Sequence, residues 1–346
     1  MSTIDSSSKA LSVEVSRHSF HDFLNYFECY LSDVIDSLDE NIRKLAKLVV
    51  LGGGKRIRPI LVYSCGASNS NVTNDLLKAS TIIELVHVAT LVHDDILDDS
   101  TIRRGNPTLH SIYSKNTSIL LGDALFSFAL ELSTDFPDNV ICKLVSNATR
   151  KTCTGEIDQS LCIKNFDTTV EKYFSIIKNK TGALFNASCV IGAHIAGASA
   201  EVVDLVGSFG SSLGINYQIY DDLSDSFGLE SSFAKTLGTD FSSGKVTLPI
   251  IRLLESVSKR ENELVKSGLN SCLKDKEFLL YLHELFDNYS IHEQCFTELK
   301  SRISDSKLIL SNIPDKKIST RLSGFMNSFD HKVINLSRNL HPNFLD

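Results

Sequence analysis

Apolar residues recur along most of the chain at the spacing of an α-helix. In the clearest stretch they recur at steps of three, four or five positions, apart from the adjacent pair at 88 and 89: Leu77, Ile82, Leu85, Val88, Ala89, Val92 and Ile96. Pro137 is the one proline between Pro107 and Pro249, and interior proline is the residue that most strongly breaks a helix. Alternating, strand-like runs between turn dipeptides are scarce. The pattern therefore predicts an all-α fold.

Three segments interrupt the helical pattern, at residues 52–54, 103–107 and 226–249. No internal repeat and no interdomain linker divides the chain. We therefore expect one helical domain over residues 9–346, an antiparallel bundle, behind a disordered segment of residues 1–8. For the helix that contains residues 77–96, Ser80 or Thr81 is the predicted N-cap, and Glu84 is the predicted partner in a capping box.

Composition narrows the function classes. The chain has 346 residues, with 35 Lys and Arg against 42 Asp and Glu, and its net charge is −7. This balance argues against nucleic-acid binding, which normally needs a basic excess or stripe. A chain of this length buries enough surface to fold without a disulfide or a structural metal. The eight cysteines form no CxxC pair, and we expect them to be buried free thiols.

Targeting signals are not evident. The first residues carry acidic side chains early and have no apolar core of signal-peptide length, so we expect a cytoplasmic protein. The longest weakly polar stretch, residues 187–200, is well short of the roughly 20 residues that span a bilayer. No transmembrane segment is expected, and the small residues of this stretch suit close helix packing.

Paired aspartates carry the strongest chemical signal. The first aspartate cluster, in LVHDDILDDS, consists of Asp94, Asp95, Asp98 and Asp99. Residues four apart are neighbours on a helix, so Asp94 and Asp98 share a face despite the repulsion between like charges. A solvated acidic helix end is the simpler interpretation of one such cluster, but the residues before it are apolar.

The same spacing recurs in a second aspartate cluster, which consists of Asp221, Asp222 and Asp225 and also follows an apolar helical run. Two such clusters are improbable as solvated surfaces. Facing each other, they would hold Mg²⁺ between carboxylates and the phosphates of a substrate, an arrangement that Mg²⁺ prefers to an all-protein cage. Cations follow both clusters, and three glycines at 52–54 precede further cations, as an oxyanion site requires.

The motifs together make the chain resemble the all-trans isoprenyl diphosphate synthases, a family of prenyltransferases. They are GGGKRIRP (52–59), ELVHVATLVHDDILDDSTIRRG (84–105), GEIDQ (155–159), KTGALF (180–185), QIYDD (218–222) followed by Asp225, and KTLGTDFSSGKVTLP (235–249). The resemblance implies a bundle of roughly ten helices around a central cavity, usually homodimeric. It also implies about three Mg²⁺ per active site. The implied substrates are isopentenyl diphosphate and an allylic diphosphate.

The resemblance assigns roles to individual residues. The implied Mg²⁺ ligands are Asp94, Asp95, Asp98, Asp221, Asp222 and Asp225. The allylic diphosphate is implied to bind Arg103, Lys180, Lys235 and Lys245, with Asp240 supporting the second cluster. The diphosphate of isopentenyl diphosphate is implied to bind Lys55, Arg58, His87 and Arg104. The catalytic residues are implied to be Lys180, Thr181 and Gln218. Lys180 would help to hold the departing diphosphate, and oxygens of Thr181 and Gln218 would face the allylic carbocation that its departure leaves.

Product length depends on the residues one turn before the first cluster. Ala89 and Thr90 are small or polar, whereas aromatic residues there would stop growth at a short product. HVATLVHDD resembles the long-chain members of the family, which predicts a product of about thirty to fifty carbons by analogy. Phe126 or Phe128 could form the floor of the cavity, although ordinary core packing explains either one better. We expect the apolar product to draw the enzyme toward a membrane.

Three alternatives stay open at this stage. A geranylgeranyl diphosphate synthase would run the same chemistry but stop earlier. A terpene cyclase on the same fold would carry an Asn/Ser/Glu metal motif in place of the second aspartate cluster, and it would leave the Lys55–Arg58–His87 site idle. A regulatory synthase subunit would usually have lost aspartates from one cluster, and this chain keeps both.

Overall fold

The structure is a computed structural model that describes residues 20–67, 73–227, 239–271 and 276–340. The expected disordered segment, residues 1–8, lies outside the described residues, as do Lys235 and Cys272. The helices are α1 (Phe20–Asp36), α2 (Glu40–Val50), α3 (Ile57–Gly66), α4 (Asn74–Leu97), α5 (Leu109–Ile112), α6 (Lys115–Ser133), α7 (Val140–Leu161), α8 (Val170–Ile177), α9 (Ala183–Ile195), α10 (Ala200–Phe227), α11 (Thr239–Ser242), α12 (Leu248–Ser256), α13 (Lys259–Ser271), α14 (Lys276–Asn288), α15 (Ile291–Ser311) and α16 (Lys316–Leu340).

Two short elements complete the described chain. Strands β1 (Ile102–Arg103) and β2 (Asn106–Pro107) form an antiparallel hairpin directly after α4. One turn of π-helix, Lys178–Gly182, joins α8 to α9 without a break. The all-α expectation is confirmed.

The start of α4 differs from the prediction. The N-cap is Thr73, whose hydroxyl accepts a hydrogen bond of 3.2 Å from the backbone N–H of Leu76. The capping box was wrong, because Ser80 and Thr81 lie buried inside the helix and Glu84 pairs with an arginine instead. The helix therefore begins about two turns before the first predicted cap.

Close backbone approach organises the centre of the bundle. α9 packs against both α3 and α10, and α10 packs in turn against α15. A Cβ atom on Gly192 would lie 2.2 Å from the carbonyl oxygen of Val62, and one on Gly210 would lie 2.6 Å from that of Phe185. Larger residues at these two positions would force the helices apart. The expectation that small residues near 187–200 serve close packing agrees with these contacts.

Two clusters of buried apolar side chains form the core. One surrounds α10 with α12, α15 and α16, and the other surrounds α4 with α1, α6 and α7. Residues of α3 and α9 contribute to both clusters. The C-terminal ends of α4 and α10, which carry the aspartates, are therefore held by one continuous set of packed helices.

α4 is the one helix in the described ranges that is long and apolar enough to cross a membrane by length and composition. Of its apolar window, 67% is buried inside the bundle. The helix also carries four carboxylates at and just beyond its C-terminal end. These properties are those of a core helix, which is hydrophobic all round because neighbouring helices cover it.

The prediction that all the cysteines are buried is wrong. Cys65, Cys189 and Cys295 are buried, whereas Cys29 and Cys153 are exposed. Cys142 and Cys162 are intermediate, and all seven described cysteines are free thiols. The expectation was wrong for Cys29 on α1 and Cys153 on α7, whose side chains reach solvent. The thiol of Cys153 lies near Glu156 and Asp94, whose charges, after burial, raise its pKa.

Candidate active site

The first aspartate cluster lies at the C-terminal end of α4, where Asp98 is the C-cap. Asp95 is buried, and its Oδ1 accepts a hydrogen bond of 2.6 Å from Nε of Arg103 on β1. The hairpin therefore brings a guanidinium group back onto the aspartates. Burial raises the pKa of Asp95, although the Arg103 charge and hydrogen bond act in the opposite direction.

Asp94 is the most strongly perturbed member of the first cluster. Burial raises its pKa to about 7, and the negative charge of Glu156 adds to this effect. The positive charges of Lys180 and Arg103 oppose it but do not cancel it. This carboxylate therefore lacks sufficient positive charge in the protein alone, and a bound cation would compensate for it.

Lys180 comes from the π-helical turn and meets the GEIDQ motif on α7. Its Nζ lies 2.7 Å from Oε1 of Glu156 and 2.9 Å from Oε1 of Gln159. A Cβ atom on Gly155 would lie 2.3 Å from the backbone nitrogen of Lys180. The glycine therefore permits the close approach of the two elements that places Lys180 near Asp94. A π-helical turn within a longer helix is frequent at functional sites.

A chain of hydrogen bonds connects Thr181 to the second aspartate cluster. Oγ1 of Thr181 donates to Oε1 of Gln218 (2.6 Å), and Nε2 of Gln218 donates to Oδ1 of Asp222 (2.9 Å). On the other side, the hydroxyl of Tyr173 donates to Oδ2 of Asp222 (2.6 Å). Sequence analysis missed Tyr173. Its one signal is its position two helical turns before Lys180, which places both on the same side of the α8–π-helix segment.

The second cluster divides into one exposed and two buried carboxylates. Asp221 is exposed, whereas Asp222 and Asp225 are buried. Burial raises the pKa of Asp222 to about 7, with the charge of Asp240 as the second cause. Oδ2 of Asp225 accepts a hydrogen bond of 3.0 Å from the backbone N–H of Asp240. The expected support of the second cluster by Asp240 therefore has a direct contact.

Lys245 lies between the first cluster and Asp240, the residue that supports the second cluster. Its Nζ lies 2.8 Å from Oδ1 of Asp98 and 3.7 Å from Oδ1 of Asp240. Its backbone N–H donates to the carbonyl oxygen of Asp240 (2.9 Å), which fixes the turn that carries both residues. Burial disfavours the ammonium group, but the two carboxylates outweigh burial and raise the pKa of Lys245.

The arginine site, defined here as Lys55, Arg58, His87 and Arg104, lies near both aspartate clusters, since the charge of Asp221 acts on Arg58 and that of Asp95 acts on Arg104. Burial lowers the pKa of His87 well below its usual range, and the charges of Arg58 and Arg104 lower it further. The imidazole is therefore neutral at pH 7. Nη1 of Arg104 donates to the carbonyl oxygen of Gly53, which ties the hairpin to the glycine loop.

Arg58 is partly buried, and its charge is not fully compensated. Its Nε is a buried donor without a hydrogen-bond partner in the structure, and its guanidinium lies 4.7 Å from the centroid of the Phe185 ring. Burial lowers its pKa to about 10, although the carboxylates of Glu84 and Asp221 act in the opposite direction. A partly buried guanidinium with an unsatisfied Nε, beside other cations, is suited to an anion with several oxygens.

Two further cations near this site were not assigned from the sequence. Arg56 is buried and paired with Glu28 and Glu84. Burial lowers the pKa of Lys332 on α16, and the like charge of the nearby, exposed Lys55 lowers it further. A glycine-rich loop followed by cations could have suggested Arg56, whereas no sequence signal connects residue 332 to residue 55.

His93, which the sequence left unassigned, points away from the aspartates. Its Nε2 lies 3.1 Å from the carbonyl oxygen of Ile119 and its ring lies 5.7 Å from that of Phe126. A Cβ atom on Gly122 would lie 2.1 Å from the same Nε2. His93 therefore fills the contact between α4 and α6.

The family follows from comparison with known proteins. Residues 39–282 match the polyprenyl synthetase family model. The chain belongs to this family. It is 33% identical over 244 residues to the short chain isoprenyl diphosphate synthase of Methanocaldococcus jannaschii, and the match covers 69% of this chain and 74% of that protein. The protein is therefore a prenyltransferase.

Solved structures of polyprenyl synthases share the fold. A decaprenyl diphosphate synthase from Rhodobacter capsulatus has a TM-score of 0.83 and 27% identity, covering 91% of this chain and 97% of its own. A polyprenyl synthase from Caulobacter crescentus, complexed with calcium and isoprenyl diphosphate, has a TM-score of 0.80 and 26% identity, covering 88% of this chain and 93% of its own. The expected isoprenoid synthase fold is confirmed.

The donor chemistry of this prenyltransferase fits a divalent metal shared with phosphate. Within residues 20–67, 73–227, 239–271 and 276–340, no group of three or more His, Cys, Asp or Glu side chains could hold a metal ion unaided. Carboxylate oxygens from two helices are nevertheless the hard ligands that Mg²⁺ prefers. Mg²⁺ completes its coordination shell with phosphate oxygens and water. The raised pKa of Asp94 is the local sign of missing positive charge.

The residues expected to control chain length lie below the first cluster. Ala89 is fully buried, in the apolar cluster that also contains Leu121 and Leu125 of α6. Oγ1 of Thr90 donates to the carbonyl oxygen of His87 (2.7 Å), so its hydroxyl is satisfied within α4. Phe126 and Phe128 are partly buried against the same cluster.

Proposed function

We propose that this prenyltransferase condenses isopentenyl diphosphate head to tail with an allylic diphosphate and makes a long all-trans product of about thirty to fifty carbons by family analogy. The observation that carries the proposal is the contact of Lys245 with Asp98 and Asp240. One ammonium group thereby joins the end of α4 to Asp240 of α11, whose backbone N–H in turn donates to Asp225 at the end of α10. An allylic diphosphate would bind between these two aspartate clusters.

The proposed allylic site combines carboxylates for metal with cations for phosphate. The proposed Mg²⁺ ligands are Asp94, Asp95, Asp98, Asp221, Asp222 and Asp225. Bound Mg²⁺, about three ions by family analogy, would supply Lewis-acid stabilisation of the departing diphosphate. Arg103, Lys180 and Lys245 already lie at these carboxylates and would turn to the phosphate oxygens. Lys235, outside the described residues, is proposed to join them.

The arginine site is proposed to bind the diphosphate of isopentenyl diphosphate. Arg58 and Arg104 supply charge, exposed Lys55 lies at the entrance, and the neutral imidazole of His87 can donate one hydrogen bond without adding charge. The unpartnered Nε of Arg58 supports this assignment, because a phosphate oxygen would satisfy it. A terpene cyclase would have no use for such a second anion site.

Thr181 and Gln218 are proposed to stabilise the positive charge that develops on the allylic carbon. Their hydrogen bond to each other, and that of Gln218 to Asp222, fix the direction of the amide oxygen before substrate binds. Preorganised dipoles of this kind stabilise a developing charge without reorganisation. The surrounding apolar core would exclude water, which would otherwise quench the reactive carbon.

The long product is supported by the small side chain of Ala89, and the alternative product is geranylgeranyl diphosphate. The names of similar proteins include both a short chain and a decaprenyl synthase, so similarity alone does not choose between them. A phenyl group at position 89 would block the space below the first cluster, whereas a methyl group does not.

A homodimer is proposed from the apolar surface of α6. Ile119, Leu120 and Leu130 expose 43%, 68% and 39% of their surfaces on this helix. Apolar patches on a protein surface mark sites of association. Light scattering after gel filtration should give a dimer for the native chain and a monomer for Leu120→Glu. The control is Leu280→Glu. Leu280 lies on α14 and is as exposed as Leu120, so this variant should stay dimeric. We place the dimer in the cytoplasm, with its apolar product drawing it toward a membrane.

The test of the proposed function is incorporation of radiolabelled isopentenyl diphosphate into products that are sized by reversed-phase chromatography. Farnesyl and geranylgeranyl diphosphate serve as primers, with Mg²⁺ and with EDTA. We expect Mg²⁺-dependent products longer than geranylgeranyl diphosphate. A product that stops at geranylgeranyl length would keep the reaction and overturn the long chain. Lack of incorporation with both primers would overturn the synthase itself.

A further inference from the structure

We propose that Glu28 on α1 is a positioning residue for the isopentenyl diphosphate site: it holds Arg56, and Arg56 holds the turn that presents Lys55 and Arg58. α1 spans Phe20–Asp36 and therefore lies outside the part of the chain that matches the family model. The inference rests on the proposed function, because it assumes that the arginine site binds the diphosphate of isopentenyl diphosphate.

Arg56 cannot itself reach a substrate, because protein atoms occupy its guanidinium. Nε and Nη2 donate to the two carboxylate oxygens of Glu28 (2.7 and 3.1 Å). Nη1 donates to Oε1 of Glu84 (2.7 Å), and Nη2 also donates to the carbonyl oxygen of Val50 (2.9 Å). The Arg56 side chain is 3% exposed. Its role is therefore to connect α1, α4 and the end of α2.

The backbone at Arg56 explains why such a connection is needed. Arg56 has φ of 46°, in the left-handed region, two residues after Gly54, and Gly53 and Gly54 also have positive φ. A non-glycine residue in this region is strained and persists only where its surroundings determine the conformation. The paired hydrogen bonds from Nε and Nη2 of Arg56 to Glu28 determine this conformation, because they hold the guanidinium at two of its nitrogen atoms.

The consequences reach both neighbours of Arg56. Lys55 precedes it, and α3 begins at Ile57, so the direction of this turn sets where Lys55 and Arg58 point. A second anchor holds the glycine side of the turn, since Arg104 donates to the carbonyl oxygen of Gly53. Without Glu28, only one carboxylate and one carbonyl group would hold Arg56, and the turn could relax from its strained conformation.

α1 is fixed well enough to act as a support. The ring of Phe23 stacks on that of Tyr63 in α3, with centroids 4.4 Å apart, and Phe27 is fully buried next to Glu28. Glu28 itself remains 44% exposed. A change in its charge therefore leaves the apolar contacts of α1 intact, which makes the carboxylate testable separately from the helix.

The experiment compares Glu28→Gln with Asp36→Asn, which removes a carboxylate of similar exposure from the same helix. Asp36 pairs with Lys47 (2.5 Å) and has no contact with Arg56. Binding of isopentenyl diphosphate alone is measured by calorimetry, KM for both substrates by incorporation, and folding by thermal melting. Arg58→Ala serves as the reference for damage to the binding site itself.

We expect Glu28→Gln to weaken isopentenyl diphosphate binding about tenfold, which corresponds to about 1.4 kcal/mol. KM for the allylic diphosphate should stay within about twofold, because that site depends on other elements. Asp36→Asn should leave both unchanged. Glu28→Asp keeps the carboxylate and should recover part of the affinity.

The other outcomes separate this proposal from the proposed function. Unchanged binding in Glu28→Gln together with weakened binding in Arg58→Ala would overturn the role of Glu28 alone. Unchanged binding in Arg58→Ala as well would overturn the assignment of the arginine site. Equal weakening of both substrates, or failure of both Glu28 variants to fold, would show that Glu28 only stabilises the protein and would also overturn the proposal.

Discussion

The Nζ atom of Lys245 lies 2.8 Å from Oδ1 of Asp98, so the loop between α11 and α12 is tied to the end of α4. Asp98 is the least buried of the proposed Mg²⁺ ligands on α4, with a side chain 36% exposed, and the contact holds it at the mouth of the site. The ammonium group of Lys245 therefore supplies positive charge next to the Asp98 carboxylate.

Substitution of Lys245 should weaken the allylic substrate selectively. Lys245→Met keeps the length of the side chain and removes its charge, which leaves Asp98 and Asp240 without their shared cation. We expect KM for the allylic diphosphate to rise about tenfold or more, since a charge-assisted contact is worth about 1.5–3 kcal/mol. KM for isopentenyl diphosphate should change little. An equal rise for both substrates would contradict the placement of Lys245 at the allylic site.

The hydroxyl of Tyr173 should matter for metal binding. Tyr173→Phe removes one of the two donors to buried Asp222, so this carboxylate should hold its charge less readily and bind Mg²⁺ more weakly. We expect the Mg²⁺ concentration for half-maximal activity to rise several-fold, within the roughly 1–3 kcal/mol cost of an unsatisfied buried group. Calorimetric titration of Mg²⁺ with inorganic pyrophosphate present should show the same weakening.

Tyr289→Phe is the matched control for this change. The Tyr289 hydroxyl also donates to a carboxylate, Oε2 of Glu261, at 2.7 Å, but on α13 and away from the aspartates. This variant should bind Mg²⁺ as the native protein does. If the two variants shift the Mg²⁺ requirement equally, Tyr173 has no special connection to the metal site.

The raised pKa values of Asp94 and Asp222 should make the metal-free protein less stable at higher pH. Both are about 7, well above the ordinary value for aspartate. The folded state therefore binds more protons than the unfolded state, and its stability falls as pH rises through 7. Between pH 6.5 and 8 we expect a loss on the order of 1 kcal/mol, or about 2 °C in Tm.

His87 opposes this effect only in part. Its lowered pKa makes stability rise with pH while an unfolded histidine, with a pKa of about 6.5, loses its proton, so its contribution is confined to the acidic end of this pH range. In EDTA, Asp222→Asn should reduce the slope of Tm against pH, whereas Asp36→Asn should not. Mg²⁺ with inorganic pyrophosphate should also reduce the slope, because it favours the ionised carboxylates. A Tm that rises from pH 6.5 to 8 in EDTA would contradict the pKa directions.

The sequence was a good guide to the fold and to the residues that meet at the site, for a physical reason. Helical periodicity is a local property, and the aspartate clusters lie at the ends of helices whose apolar faces are readable in the chain. The motif KTGALF predicted Lys180, although not the π-helical turn that aims it. The close approach of that turn to α7 requires the missing side chain of Gly155, a relation between two elements that local sequence does not contain.

Contacts between distant positions were beyond the sequence. Tyr173 reaches Asp222 across 49 positions, and Arg56 reaches both Glu28 and Glu84 across 28. Nothing in the local pattern around these residues distinguishes them from core or surface side chains. The capping prediction failed for a related reason. Ser80 and Thr81 have the right chemistry for a cap, but the helix begins earlier in the chain, where the hydroxyl of Thr73 is the N-cap.

Ala89→Phe should shorten the product. Ala89 is fully buried one turn before Asp94, so a phenyl group there would project into the core below the aspartates. If the growing chain passes this point, the variant should release products of about fifteen to twenty carbons, as aromatic residues at this position do by family analogy. Incorporation of the first isopentenyl unit should continue, because the diphosphate sites lie above the substitution.

The control for Ala89→Phe is Ala46→Phe, because Ala46 is equally buried in the same apolar cluster but lies on α2. Overpacking alone costs typically 1–3 kcal/mol and should lower the Tm of both variants. Only Ala89→Phe should change product length, which reversed-phase chromatography measures directly. Products of native length from a folded Ala89→Phe enzyme would show that the chain grows along another path, and Ala89 would then be ordinary core.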